Sequence, residues 1–189
     1  RGRGDVYKRQ ILFIGGKFLD ESFLKLSAEI SSATGCRIIT DTFISRIRRG
    51  AGLPIIEQVP YFAEMAEEFL KNTAGVVFIG TSVPVSFFAY PDKKSYLLPT
   101  ETKIINLCSP NQDGYDALNA LSAESSSSSI NQDLIQSSII DIPTSGILDT
   151  SSFGPLLAGL MPEDAIVSDE SATSSLFVTS CLLYTSDAA

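Results

Sequence analysis

Two uninterrupted apolar runs closed by glycine, "ILFIGG" (Ile11–Gly16) and "GVVFIG" (Gly75–Gly80), constrain this fold more than anything else in the chain. A strand with one wet face alternates apolar and polar residues, whereas one that is apolar throughout is buried on both faces. Burial on both faces belongs to a parallel sheet covered by helices, and parallel neighbours need a crossover between them. The intervening sequence supplies that crossover. Phe23, Leu26, Ile30 and Ala33 recur at helical spacing, Asp20 can cap the start, and Gly35 can end the helix. "CRIIT" (Cys36–Thr40) reads as a second strand. "YFAEMAEEFLKN" (Tyr61–Asn72) reads as a second amphipathic helix entered at Pro60, with Phe62, Met65, Ala66, Phe69 and Leu70 as its apolar stripe. "KIINL" (Lys103–Leu107) is a further strand. The expected fold is α/β: a Rossmann-like parallel sheet with helices on both faces.

Composition shifts after a helix expected at Tyr115–Glu124. "SSSSS" (Ser125–Ser129) opens a serine-rich linker over 125–148, with a Rossmann-like domain before it at 11–124. From 149 to 179 the βα grammar resumes: a short helix containing Pro155, a Pro-Glu-Asp turn, the strand "AIVS", and a loop opening on "DES". This reads as a truncated second α/β unit. The two ends, 1–10 with "DVYKRQ" and 180–189 within "CLLYTSDAA", resemble translated sequencing-adapter read-through. They are expected to be non-native tails and carry no functional reading.

Several function classes drop out early. The net charge of −8 disfavours nucleic acid and anionic membrane as partners. No run of apolar residues reaches membrane-spanning length. The absence of histidine removes Ser-His-Asp and Cys-His catalysis and most zinc sites. Cys36, Cys108 and Cys181 have no metal-like spacing and an odd count, which points to a reducing, cytoplasmic setting, with Cys36 and Cys108 as small core residues.

Three motifs carry candidate binding residues. Gly15 and Gly16 form either a phosphate-approaching turn or a plain strand-to-helix turn. In "RIRRGAG", Arg46 and Arg48 beside glycines suit a phosphate clamp, a carboxylate interface, or a solvated basic face. "DES" (Asp169–Ser171), with Thr173, Ser174 and Ser175 beyond, follows a strand and suits a diphosphate or an ordinary capped loop. One further oddity stands out. After Gly80 the chain stays apolar, through Val83, Pro84, Val85, Phe87, Phe88, Ala89 and Tyr90, where a polar loop belongs. Such a loop needs a ligand, a domain or a subunit to cover it.

The succession "RIRRGAGLPIIEQVPYFAE", "GVVFIGTSVPVSFFAYPDKKS" and "MPEDAIVSDESATSS" resembles the acetolactate-synthase-like branch of the thiamine-diphosphate (ThDP) enzymes, across about Ile11 to Thr179. The resemblance implies a Rossmann-like central domain followed by the opening of a diphosphate-binding domain. It also implies ThDP with Mg2+ as cofactors of the whole enzyme, a 2-oxo acid substrate, and a homodimer or homotetramer. Glu170, Ser171, Ala172 and Thr173 would match the loop that approaches the diphosphate, and FAD is a possible ligand of the central domain through Gly15 and Gly16. The family's catalytic glutamate and its magnesium-binding G-D-G motif are not in these residues, so no catalytic or metal-ligating residue is assigned and these residues by themselves are expected to be inactive. The alternative reading is a stand-alone nucleotide-binding or regulatory module in which Gly15, Gly16, Arg46 and Arg48 hold FAD, NAD or a nucleotide diphosphate.

Overall fold

The computed structural model describes residues 9–89, 91, 93–125, 129–137, 141–162, 164–170 and 184–188. It divides into two compact units. Arg1–Ile44 with Ile56–Asn131 form the first, and Ser45–Ile55 with Gln132–Ala189 the second.

The first unit is a five-stranded parallel sheet made of β1 (Gln10–Ile14), β2 (Arg37–Thr40), β4 (Glu57–Gln58), β5 (Gly75–Ile79) and β6 (Lys103–Cys108). Their order in space is β4-β2-β1-β5-β6, with every neighbouring pair parallel. The expected α/β class and parallel sheet are therefore present. β1 lies in the middle, with Ile11, Leu12, Phe13 and Ile14 all buried, as its unbroken apolar run required. It runs in register with β5 from Gln10↔Gly75 to Ile14↔Ile79.

The pleat sends alternate side chains to opposite faces. Ile11, Phe13, Val76 and Phe78 share one face with Ala66 and Leu70 of helix α2 (Ala63–Leu70), so that helix covers it. Helix α1 (Glu21–Thr34) packs beside β2 and against α3 (Tyr115–Ser125), where the Ser122 hydroxyl donates to Glu29 at 2.9 Å. Asp20 caps α1 by accepting from the Phe23 amide at 3.0 Å, and Gly35 ends it at φ 73°. The stripe on α1 is rotated from expectation. Phe23 and Ile30 are buried together with Leu24, Ser27, Ala28 and Ser31, while Ala33 is exposed. On α2 the shift is larger, because Phe62 and Met65 are both 58% exposed while Ala63, Ala66 and Leu70 are buried and Phe69 partly so. The small Ala63 and Ala66 bring the helix close to the sheet, which leaves the longer side chains outside.

The two-residue strand β4 is held by side chains as well as by its ladder. Arg37 donates to both carboxylate oxygens of Glu57, at 2.8 and 2.6 Å, and to the Phe69 carbonyl at 3.1 Å. Its guanidinium lies 4.3 Å from the Phe69 ring centre. A planar fork is needed to make these contacts together.

In the second unit, β3 (Arg46–Gly50) runs antiparallel to β8 (Tyr184–Ala188), and β8 runs parallel to β7 (Ala165–Val167). The arginine segment is thus a strand within an otherwise loop-like stretch. The chain around 134–136 also bonds along residues 52–55, with Ile55 donating to the Leu134 carbonyl at 2.8 Å and Gln136 to the Leu53 carbonyl at 2.9 Å. Helix α4 (Thr150–Leu160) starts from a capping box between Asp149 and Ser152, and it contains Pro155 beyond its first turn.

The closest backbone approach in the first unit lies at the ends of β1 and β5. Gly80 has φ +66°, and a Cβ there would stand 2.2 Å from Phe18 Cδ2 and 2.7 Å from the Gly15 carbonyl oxygen. We expect Gly80→Ala to cost about 2–4 kcal/mol, from the left-handed backbone and the clash together. Gly75→Ala, whose Cβ would meet only the Lys103 carbonyl at 3.7 Å, should change stability by less than about 1 kcal/mol. Urea denaturation of the two variants tests the contrast.

Candidate functional site

In an open parallel sheet, ligands bind where the strand order reverses, beyond the carboxyl ends of the strands. Here the chain leaves β1 toward β2 and β4 on one side and later returns to β5 on the other, so the reversal lies between β1 and β5. The turns at that point are Gly15–Gly16 after β1, Asp41–Phe43 after β2, and Gly80–Ser82 after β5.

Gly15 is required by crowding. A Cβ on it would lie 2.7 Å from Thr81 Cβ and 2.9 Å from Asp41 Oδ2. Its amide donates to the Ile79 carbonyl at 2.9 Å, so this N–H completes the β1–β5 ladder and faces no ligand. Gly16, at φ +60°, begins a 3-10 turn through Phe18. The Thr81 hydroxyl donates to Asp41 Oδ2 at 2.6 Å. A carboxylate therefore stands beside the glycine turn, where a dinucleotide would bring its phosphates. That geometry does not favour FAD or NAD at Gly15 and Gly16.

From this floor opens a pocket of about 260 Å³. Asp41, Thr42 and Phe43 line one side, Tyr61 and Ala63 the entry to α2, and Val83 to Phe87 the opposite wall. The wall is an irregular hairpin: Ser86 donates to the Ser95 carbonyl at 2.8 Å and Leu97 to the Pro84 carbonyl at 3.2 Å. Leu97 and Leu98 root it in the core, and Lys93 ties it to α2 through Glu64 at 3.5 Å and Glu67 at 3.6 Å. At the rim stand exposed rings. Phe87 lies 4.9 Å from Phe43, 6.0 Å from Tyr61 and 4.8 Å from Phe88. The apolar stretch after Gly80 is thereby split. Pro84 is buried and Val83 half-buried, whereas Val85, Phe87, Phe88 and Ala89 remain exposed. Tyr90 lies outside the described residues.

The other candidate residues fall elsewhere. Arg46 is an exposed residue on β3, and Arg48 approaches Asp164 at 3.8 Å; both belong to the second unit, whereas Gly15 and Gly16 belong to the first. Glu170 is exposed beyond the carboxyl end of β7. Ser171, Ala172 and Thr173 lie outside the described residues. Among the described residues there is no group of three or more Cys, Asp or Glu placed to hold a metal, and no helix is long and apolar enough to cross a membrane. Cys36 and Cys108 are buried free thiols, and burial pushes the Cys36 thiol up. Asp41 and Thr81 were not singled out by sequence reasoning. Their only signal is position, each being the first or second residue past an apolar strand.

Solved structures with the same fold include a thiamine-diphosphate-dependent 4-hydroxybenzoylformate decarboxylase from Rhodococcus jostii, at TM-score 0.66 and 15% identity. The match covers 97% of this chain and 38% of that one. A benzoylformate decarboxylase from Polynucleobacter necessarius matches at TM-score 0.59 and 14% identity, over 97% of this chain and 39% of that one. No protein-family model matches the chain. In sequence, the chain is 37% identical over 163 residues to a Mycobacterium tuberculosis protein named "Putative acetolactate synthase large subunit IlvX". That alignment takes in 86% of this chain and 31% of the relative, so the chain spans about a third of its length. Over these residues the chain is similar in sequence to an acetolactate-synthase-like protein and shares the fold of ThDP-dependent enzymes.

Asp41 gives a direct test of the site's electrostatics. Burial pushes its carboxyl above the ordinary value of 3.8, and the Thr81 hydrogen bond opposes that rise. The folded state then holds the proton more tightly than the unfolded chain. Folding is favoured below the ordinary value, and that contribution is lost as pH rises through the raised one. Asp41→Asn should therefore raise the melting temperature at pH 7 and lose its advantage as pH falls toward 4, as read by scanning calorimetry. A lower melting temperature at pH 7 would show that the charged Asp41–Thr81 pair outweighs the cost of burying the carboxylate.

Proposed function

We propose that this chain forms the central domain, and the opening of the diphosphate-binding domain, of an enzyme that makes or breaks a carbon–carbon bond next to the carbonyl of a 2-oxo acid. The observation that carries this reading is the 37% identity with the acetolactate-synthase-like relative over 163 residues, 86% of the chain. In such an enzyme ThDP, held with Mg2+, supplies the carbanion and the electron sink, while the protein supplies orientation and electrostatics. In this reading Glu170, three residues beyond the carboxyl end of β7, and residues 171–173 would offer a carboxylate, hydroxyls and backbone donors to the diphosphate end of the cofactor. The first unit supplies architecture within a larger assembly, a homodimer or homotetramer in this reading.

The nucleotide-module alternative is weaker on physical grounds. The Gly15 amide is already bonded within the sheet.

The test is enzymatic. The complete coding sequence containing these residues should yield a protein that releases CO2 from a 2-oxo acid only when ThDP and Mg2+ are supplied. The 189 residues alone should release none. Turnover by the complete protein without ThDP, or by these residues alone, would defeat the reading.

A further inference from the structure

The pocket above Asp41 takes no part in the diphosphate reading, and every residue that forms it belongs to the first unit. We propose that it is a binding site for a small arylalkylammonium ion, with the ammonium against Asp41 and the ring among Phe43, Tyr61 and Phe87, and that it excludes phosphate-bearing ligands.

Four observations carry this. The Thr81 hydroxyl holds Asp41 by Oδ2, and Oδ1 accepts nothing from the described residues, so one oriented acceptor is left over. No lysine or arginine lines the pocket, and Asp41 is half-buried. A cationic ligand supplies the missing partner, and a charge-assisted hydrogen bond in such surroundings is stronger than its equivalent in water. The walls are rings at mutual distances of 4.9 to 6.0 Å, a setting that attracts both an aromatic body and a cation. At about 260 Å³ the space suits roughly ten non-hydrogen atoms, given that a cavity of about 150 Å³ accepts benzene. Exclusion of phosphate follows from the same carboxylate and from the Gly15 amide already bonded to Ile79.

The inference stands apart from the ThDP reading and can fail without it. The experiment is calorimetric titration of the 189-residue protein with 2-phenylethylammonium, with phenylacetate and ADP as comparison probes. We expect the ammonium to bind at least about tenfold more tightly than either anion. Asp41→Asn should weaken the ammonium about tenfold and abolish that preference, and its hydrogen-bond acceptor for Thr81 is kept so that the fold survives. Phe87→Ala, at a residue 61% exposed, should weaken binding without changing the melting temperature. No heat with the ammonium at millimolar concentration overturns the proposal. So does equal binding of phenylacetate or ADP, or an affinity that Asp41→Asn leaves unchanged.

Discussion

The close passage of two backbone turns at the carboxyl ends of β1 and β5 organises the first unit. The Gly15 amide extends the β1–β5 ladder to Ile79, and Gly80 donates to Cys108 at 2.8 Å, so three adjacent strands finish against one another. Phe18 fills the space that a side chain on Gly80 would occupy, and it stacks on Phe23 at 4.8 Å. The entry to α1 is thereby pinned to the sheet. Without glycine at both turns, the ring, the helix and the third strand could not all keep their places. The same crowding brings Thr81 to Asp41 and so shapes the floor of the crevice.

The crevice shows how a widespread fold is turned away from a common use. Nucleotide-binding sheets of this kind offer free amides and a helix N-terminus to phosphate. Here the amide is bonded within the sheet, a carboxylate stands beside it, and the opposite wall is a hairpin carrying aromatic rings. Fold alone would suggest a dinucleotide. The chemistry at the turn argues otherwise, because function resides in the site and not in the architecture.

Apolar residues outside the core follow from the same geometry. Small residues on α2 let it lie close to the sheet, and this leaves Phe62 and Met65 in solvent. An apolar loop after a buried strand can thus be half root and half surface. Leu97 and Leu98 belong to the core, and the rings between the hairpin's two roots do not. Periodicity could not separate the two groups, since both read as apolar.

What the sequence determined by itself was local and one-dimensional: two strands apolar on both sides, an Asp20 cap and a Gly35 stop for α1, and a family resemblance written in short motifs. Those features point to a parallel α/β sheet, in which helices bury both faces of such strands. Tertiary structure decided which residues meet. Asp41 and Thr81 are separated by the whole β2-to-β5 crossover and come within 2.6 Å only because the strand order places β1 between their strands. Arg46 likewise lies on a strand, β3, whose partner β8 is more than a hundred residues further along the chain. Long-range pairing sets such contacts, and a hydrogen-bonded ladder leaves no periodic trace of its partner in the chain.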